Sequence, residues 1–410
     1  MPERIQMDKP IVEMDGDEMA RVLWAWTKEK LIIPYIDLKV EYFDLHIKVR
    51  DETDDRITRQ AAEAVKKWRV GVKCATITPD EARVREYNLK NRLKSPNATI
   101  RGLLDGTIFR APIILGNVSP AVRFWKKPIV IARHAFGDIY DGVGLEFEGP
   151  AECEIVVRQL NGKEFKVKFP RFNGSGVIQG IYNIDSSIES FARASFSYAL
   201  DNKLDLWFAA KDTISTVYDR RFKDIFERVY NEDFKSKFYD AGLNYQYFLV
   251  DDAVARMVRC EGGFVLACKN FEGDVLSDFL ASAYTGSLAL MTSVLYSPQG
   301  HFLSEAAHGT VQKHYYRYLK GKEVSTNPIA IIFAWTAALR RRGELDGIEE
   351  LVRFSKCLEK AVRQTIETDR IMTPDVAKVS EKPVEKVVST QDFLTAVKAN
   401  LDKIFNKLSH

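Results

Sequence analysis

Apolar positions along this chain alternate between a strand rhythm and a helical one. Pro10 to Met14 reads as a short strand and Asp15-Gly16-Asp17 as a turn; Met19, Val22, Leu23 and Trp26 then recur at helical spacing. Val70 to Ile77 repeats the buried-strand pattern. It leads into Pro79-Asp80-Glu81, a helix start with proline at the first position and acids near the positive end of the helix dipole. Pro128 to Arg133 is another buried strand, and Leu204 to Ala210 delivers Lys211 to its end. Ser186-Ser187-Ile188-Glu189 has the form of a capping box that opens a helix. Asn327 and Pro328 cap an apolar helix from Ile329 to Leu339, and a last helix spans Thr390 to Leu408. Strands that alternate with helices predict an α/β fold with a largely parallel sheet covered on both faces.

The rhythm changes between Gly149 and Phe169. Glu154 to Arg158 and Phe165 to Phe169 flank Asn161-Gly162, which predicts a separate antiparallel hairpin with a type I′ turn. The chain has 410 residues and no internal repeat or flexible linker, so two or three folding units are expected, with more than one crossing between them. The longest apolar stretches, Ser287 to Tyr296 and Ile329 to Leu339, fall well short of the roughly 20 residues that span a bilayer.

Composition excludes several classes. A net charge of +3 and the lack of an aromatic-basic platform argue against nucleic acid as a partner. Cys74, Cys153, Cys260, Cys268 and Cys357 are scattered and contain no Cys-x-x-Cys pair, which fits neither a disulfide framework nor a zinc site and predicts a reducing compartment. Met1 to Asp8 shows no apolar signal core and no Arg/Ser-rich transit pattern, so a cytoplasmic protein is expected.

Asp274 and Asp278 lie four apart in a segment of helical spacing, so both carboxylates project from one helix face and could hold a hard cation. Asp251-Asp252 follows the strand Tyr245 to Val250, at the kind of strand end where ligand sites of α/β folds collect. Arg101, Arg110 and Arg133 fall near the ends of predicted elements, and guanidinium groups bind carboxylates through paired hydrogen bonds, which suggests an anionic substrate. Lys211 and Tyr140 could each present a titratable tip to a cleft. Taken singly, each of these residues more often belongs to a solvated face, a surface ion pair or the structural framework. No Gly-x-Gly-x-x-Gly is present, and Gly174-Ser175-Gly176 reads as a loop; the candidate phosphate cradle is His308-Gly309-Thr310-Val311, followed by Lys313 and His314.

These segments together closely resemble the homodimeric NADP-dependent isocitrate dehydrogenases of the eukaryotic type, over essentially the whole chain. The resemblance is carried by VEMDGDEMARV near the start, GVKCATITPDEARV at 71–84, KSPNATIRG at 94–102, GTIFR at 106–110 and ARHAFGDIY at 132–140. It continues through AAKDTI at 209–214, VDDAVA at 250–255, EGGFVLACKNFEGDVLSD at 261–278, EAAHGTV at 305–311 and STNPIA at 325–330.

The resemblance implies the isocitrate/isopropylmalate dehydrogenase-like fold, with a large domain of residues 1–104 and 285–410, a small domain of 105–137 and 185–284, and a clasp of 138–184 that joins two subunits. It implies oxidation and decarboxylation of isocitrate to 2-oxoglutarate with NADP and Mg²⁺ or Mn²⁺. Thr78, Ser95, Asn97, Arg101, Arg110 and Arg133 would hold isocitrate. Asp274 and Asp278, with Asp251 from the other subunit, would hold the metal. Lys211, also from across the interface, would assist removal of the hydroxyl proton, and Tyr140 would protonate C3. Lys73, Thr76, Thr78, Arg83, Arg259, His308, Gly309, Thr310, Val311, Lys313, His314 and Asn327 match cofactor-contacting positions, with Lys313 and His314 favouring NADP over NAD. The chain departs from the pattern at Lys313, where many members carry Arg. It also departs at Asp141-Gly142, at an extra Thr285, and in a shortened 368–375 loop where Pro374 replaces a common Lys. Competing readings are a sister activity on isopropylmalate or homoisocitrate, which Ser95 and Asn97 disfavour in the first case because an apolar substrate would leave them unpaired, and a non-catalytic dimeric relative.

Overall fold

The structure is a computed structural model and describes residues 4–286, 290–297 and 299–407, with side chains as far as Phe405. Among these residues ten strands form one sheet, in the order Tyr245–Leu249, Asp205–Ala210, Phe264–Cys268, Ile129–His134, Thr107–Pro112, Met291–Tyr296, Phe302–Ala306, Val70–Lys73, Ile11–Asp15 and Val40–Asp44. The first four run parallel to one another, and so do the last four. Between them Thr107–Pro112 and Met291–Tyr296 are antiparallel to each other and to their outer neighbours. The sheet is therefore mixed, and the parallel arrangement expected from the sequence holds only for its flanks. Met291–Tyr296 and Phe302–Ala306 show why. Ser297 N donates to His301 O at 3.0 Å and closes a tight connection, too short for the crossover that parallel neighbours need.

Helices cover both faces, so flanking strands such as Ile129–His134 and Phe264–Cys268 are buried at every position. One core gathers Trp24, Trp335, Phe354 and Phe393 from the two ends of the chain. A second gathers Phe191, Phe196, Phe208 and Phe226 from its middle. The Ile329–Asp346 helix is apolar nearly all round as far as Leu339, and that part is buried in the first core. Among the described residues no helix is long and apolar enough to cross a membrane. Of the apolar stretch read as Ser287 to Tyr296, residues 287–289 lie outside the described residues; the last helix is described over Thr390–Lys407, and Leu408 lies outside the described residues.

Three local expectations are corrected. The helix after Pro79 begins at Glu81, because the Asp80 carboxylate accepts from Arg83 N at 2.8 Å and makes Asp80 the cap. The Asp185–Asn202 helix has no capping box. The Ser187 hydroxyl is drawn instead to Asp105 at 2.8 Å and His134 at 2.9 Å, while Glu189 pairs with Arg193 and Arg228. The hairpin forms, pairing Glu154–Arg158 with Glu164–Lys168, one residue earlier than the Phe165–Phe169 expected, and its turn is not type I′. Gly162 N donates to Gln159 O at 2.9 Å, and Gly162 alone in the turn has a positive φ, 89°. That is a three-residue loop closed by a left-handed glycine.

The hairpin nests inside an outer ladder of Val143–Phe147 with Gly176–Gly180, which makes one antiparallel arm. Its apolar side chains Val143, Leu145, Val157, Val167 and Val177 are all exposed.

Candidate active site

Sheet register builds the floor of the site. Lys73 pairs with Glu305, Glu305 with Ser293, and Ser293 with Arg110, so four polar side chains lie abreast on four adjacent strands, on one face. Arg133 sits two residues beyond Ile131, the partner of Arg110, and therefore on that same face. Arg101 reaches in from the Pro96–Leu104 helix and donates to Glu305 at 2.6 Å. Ser293 donates to the same oxygen at 3.1 Å. Burial alone would raise the Glu305 carboxyl, but Arg101, Lys73 and Arg110 outweigh it and hold it down at about 2. Burial lowers the Lys73 amine to about 8, with Glu305 opposing.

Above this floor lies the metal-type helix, Asn270–Thr285. It approaches closely because Gly273 has no side chain; a Cβ there would stand 2.8 Å from the Arg133 Cβ. Asp274 and Asp278 come one turn apart on its inner face, as their spacing predicts. Arg133 and Arg110 both pair with Asp274, and Arg110 also reaches Asp278 at 3.2 Å and Ser277 at 2.8 Å. Tyr140, in the 3-10 turn Asp138–Asp141, donates to the other Asp274 oxygen at 2.5 Å and lies under the Arg133 guanidinium, 4.8 Å from its ring centre. Burial and that hydrogen bond push the Tyr140 hydroxyl up to about 12, so it is protonated at neutral pH. Burial pulls Arg133 down to about 10, and nearby Arg101 adds to the effect. Burial also raises the Asp278 carboxyl, with Arg110 opposing.

Lys211 and Asp251 stand apart from this cluster. Each follows the end of a strand of the parallel flank, and they pair at 2.5 Å. The Lys211 hydrogen bond holds the Asp251 carboxyl below its ordinary range. Lys211 is anchored by its own backbone N, which donates to the buried Asp219 at 2.7 Å; Asp219 in turn pairs with Lys269 at 3.1 Å. Neither Lys211 nor Asp251 bonds to the Arg110, Arg133, Asp274 and Asp278 group of the same chain. Among the described residues no three acidic, His or Cys side chains of one chain are grouped to hold a metal ion.

Most candidate cofactor residues follow the C-terminal ends of Val70–Lys73 and Phe302–Ala306, whereas Arg259 lies elsewhere, just after the Val250–Met257 helix. Asp17 accepts from Ile77 N and from Ile47 N, both at 2.8 Å, and buried Arg50 donates to Ile77 O at 2.9 Å and Lys94 O at 2.8 Å. These four bonds tie the Thr76–Thr78 loop to the segment before Ser95. Lys73 bonds Thr76 at 3.0 Å; Thr78 is exposed; Ser95 caps its helix through Ala98 N at 3.4 Å. Arg83 pairs with Glu18 at 2.9 Å, and Glu18 also receives the Thr310 hydroxyl at 2.5 Å. Val311 closes the 308–311 turn at φ 57°, a left-handed conformation that costs a β-branched residue of order 1–3 kcal/mol. His314 meets Thr326 at 2.6 Å, and Asn327 holds Asp375 at 3.0 Å while capping the Ile329–Asp346 helix through Ile329 N at 2.8 Å. Lys313 and Arg259 are exposed, and their side chains have no partner among the described residues. The shortened loop keeps a role, since Asp375 also holds Thr373 at 2.6 Å, and Thr285 is buried, with its hydroxyl on Ala281 O at 2.8 Å.

Among the described residues, the buried polar atoms without a protein partner include three on candidate site residues: Asn97 Oδ1, Arg110 Nε and His308 Nε2. An unpaired buried group costs about 1–3 kcal/mol. They lie on the first turn of the Pro96–Leu104 helix, the arginine floor and the phosphate-type turn, where a polar ligand would satisfy them. The two hard carboxylates suit a divalent cation.

Glu305, Asp17 and Arg50 were missed from the sequence. The available signal was a charge inside or beside an apolar strand. Because the folded Glu305 value lies below the ordinary 4.5, its stabilising contribution is complete above that pH and is lost as pH falls toward about 2. Glu305→Gln is expected to flatten this acid limb and to cost about 3 kcal/mol at neutral pH by stranding Arg101 and Lys73. Urea unfolding followed from neutral pH down to about 3 checks both effects.

Residues 7–397 match the family of isocitrate/isopropylmalate dehydrogenases. The chain is 49% identical over 405 residues to the mitochondrial NADP isocitrate dehydrogenase of Saccharomyces cerevisiae, covering 98% of this chain and 94% of the yeast protein. It is 50% identical to NADP isocitrate dehydrogenase 1 of Mycobacterium tuberculosis (strain ATCC 25618 / H37Rv) and 48% identical to the peroxisomal NADP isocitrate dehydrogenase of Candida tropicalis, in each case over 98% of both chains. With near-complete coverage at about half identity, this chain belongs to the isocitrate/isopropylmalate dehydrogenase family.

Proposed function

We propose that the protein oxidises isocitrate with NADP⁺ and decarboxylates it to 2-oxoglutarate, with Mg²⁺ or Mn²⁺ held by Asp274 and Asp278 and by Asp251 of a second copy of the chain. The observation that carries this reading is the convergence of Arg101, Arg110 and Arg133 on one face beside two carboxylates and the Tyr140 hydroxyl. In the structure Arg110 and Arg133 neutralise Asp274 and Asp278. Isocitrate and a cation exchange those partners together, the arginines taking substrate carboxylates and the aspartates taking the metal. A cation held there would supply positive charge that favours negative charge developing on the substrate. Thr78, Ser95 and Asn97 orient the substrate, and the unpaired Asn97 Oδ1 calls for a hydrogen-bond donor that an apolar isopropyl group lacks. Lys211 assists removal of the hydroxyl proton as the C2 hydride leaves for NADP⁺. The bond from C3 to its carboxylate then breaks, CO₂ departs, and Tyr140 donates a proton to C3. With the hydroxyl at about 12, Tyr140 gives up that proton only to a strong base such as the enolate carbon.

NADP⁺ lies along the Thr76–Thr78 loop and the 308–311 turn, with Lys73, Arg83 and Asn327 beside it. The 2′-phosphate meets Lys313 and His314, and Arg259 reaches it from the second copy. Lys313 is free to pair with it, and His314, held neutral by burial, gains a reason to protonate. Lys313→Ala is expected to raise the KM for NADP⁺ about tenfold, the loss of one exposed charge-assisted contact, and to leave the KM for NAD⁺ unchanged. Initial rates with each cofactor check this.

The second copy is supported by the separation of Lys211 and Asp251 from the Asp274 cluster and by two exposed apolar surfaces. One is the arm, since a two-stranded ribbon with bare valines is marginal in water. The other is the outer face of the metal helix, Phe271, Val275 and Phe279. We assign residues 1–104 and 285–410 to a large domain, 105–137 and 185–284 to a small domain and 138–184 to a clasp; separate cores from the chain ends and the middle support two units and the arm supports the clasp, while Ile113, Leu115 and Val118 pack in the first core. A cytoplasmic setting rests on the five free cysteines, although relatives occupy mitochondria and peroxisomes.

The functional test is absorbance at 340 nm with isocitrate and Mg²⁺, with NADP⁺ compared against NAD⁺ and each repeated with EDTA. Metal-dependent reduction of NADP⁺ well above NAD⁺ is expected. A folded dimer that reduces neither cofactor contradicts the reading.

A further inference from the structure

The loop that carries Tyr140 touches the metal helix at more than the tyrosine. The helix residue that should cap Asn270–Thr285 is Lys269, which offers no side-chain cap. The Asp138 carboxylate does so from another part of the chain, accepting from Phe271 N at 3.1 Å. Asn270 completes the tie, since its amide donates to Gly137 O at 3.3 Å and its oxygen accepts from Arg133 Nε at 2.8 Å. Asp138 is 5% exposed and adopts φ 63°, unusual for a residue with a side chain. Gly137 before it is equally constrained: a Cβ there would stand 2.5 Å from Tyr182 O. A backbone held at two successive positive φ values persists only where its surroundings enforce it.

We infer that Asp138 is a positioning residue: by capping the metal helix from the Tyr140 loop, it sets the proton donor and the metal carboxylates with one contact. The inference rests on the roles proposed above for Tyr140, Asp274 and Asp278. An ordinary cap would lie next in sequence to its helix and secure that helix alone. This one lies 133 residues away in sequence and two residues from Tyr140, so the helix N-terminus and the tyrosine hydroxyl cannot move independently.

Two substitutions separate the carboxylate from the backbone conformation. Asp138→Gly accepts the positive φ and removes the cap; Asp138→Asn accepts the same φ and caps about as well. In the folded dimer Asp138→Gly is expected to lower kcat and raise the KM for Mg²⁺, each about tenfold, with the KM for NADP⁺ unchanged; Asp138→Asn is expected to stay within about threefold of wild type. Hydrogen exchange gives a readout that does not depend on activity. The amides of Phe271 to Asp274 should lose about tenfold in protection in the glycine variant and keep it in the asparagine variant. Should Asp138→Gly not fold, Asp138→Gln, whose amide is one methylene too long for the cap, replaces it with the same expected losses. Wild-type kinetics in a removal variant, or a tenfold kinetic loss in folded Asp138→Asn, overturns the inference. If wild type shows no metal-dependent NADP⁺ reduction, the functional reading fails, and hydrogen exchange alone decides the cap.

Discussion

Asp274→Asn is expected to lower kcat/KM for isocitrate about a thousandfold, equivalent to about 4 kcal/mol of lost transition-state stabilisation. Asp274 is the hub of the cluster, bonded to Arg133, Arg110 and Tyr140 at once. An amide keeps the volume but removes the charge that balances two buried guanidinium groups and attracts a hard cation. Its oxygen can still accept from one of Tyr140 and Arg133 but its NH₂ cannot accept from the other, so the proton donor and the clamp lose their common anchor. Steady-state kinetics together with calorimetric titration of Mn²⁺ in the presence of isocitrate check this. Activity within tenfold of wild type would sink the assignment of Asp274 as a ligand.

Tyr140→Phe should separate two chemical events. The ring keeps its place under Arg133, so the KM values for isocitrate and metal are expected to stay within about threefold. Steady-state kcat should fall about 10² to 10³-fold, the usual contribution of a positioned general acid. Because the protonation of C3 follows hydride transfer, rapid mixing should still show a burst of NADPH, followed by slow turnover. An unchanged kcat would show that Tyr140 is not the donor.

Much of this site was legible because its chemistry follows local spacing. Asp274 and Asp278 are a helical pair, Lys211 follows a strand, and His308 to Val311 interrupts strand and helix with small residues. What these groups bind came from the resemblance, since spacing alone allowed a solvated face. Glu305 was not legible. Its contacts depend on the register of Lys73, Glu305, Ser293 and Arg110 across strands that are up to 232 residues apart, and no local pattern encodes that register. Asp17 and Arg50 were missed for a related reason, because each acts on backbone groups brought close only by tertiary packing. The failed capping box at Ser187 and the misread turn at Asn161-Gly162 show tertiary partners and loop length overriding local motifs. The antiparallel centre of the sheet went unseen because two short apolar strands read alike whichever way they run.

The central claim is that one metal site is completed by two copies of the chain, with Asp274 from one copy and Lys211 and Asp251 from the other. The most direct test mixes two inactive dimers, Asp274→Asn and Lys211→Met, allows subunits to exchange, and follows isocitrate- and Mg²⁺-dependent NADPH formation. A shared site predicts recovered activity, because each mixed dimer regains one site with both groups intact. If mixed dimers form, as confirmed by mass, and remain inactive, the site lies within a single chain and the account is contradicted.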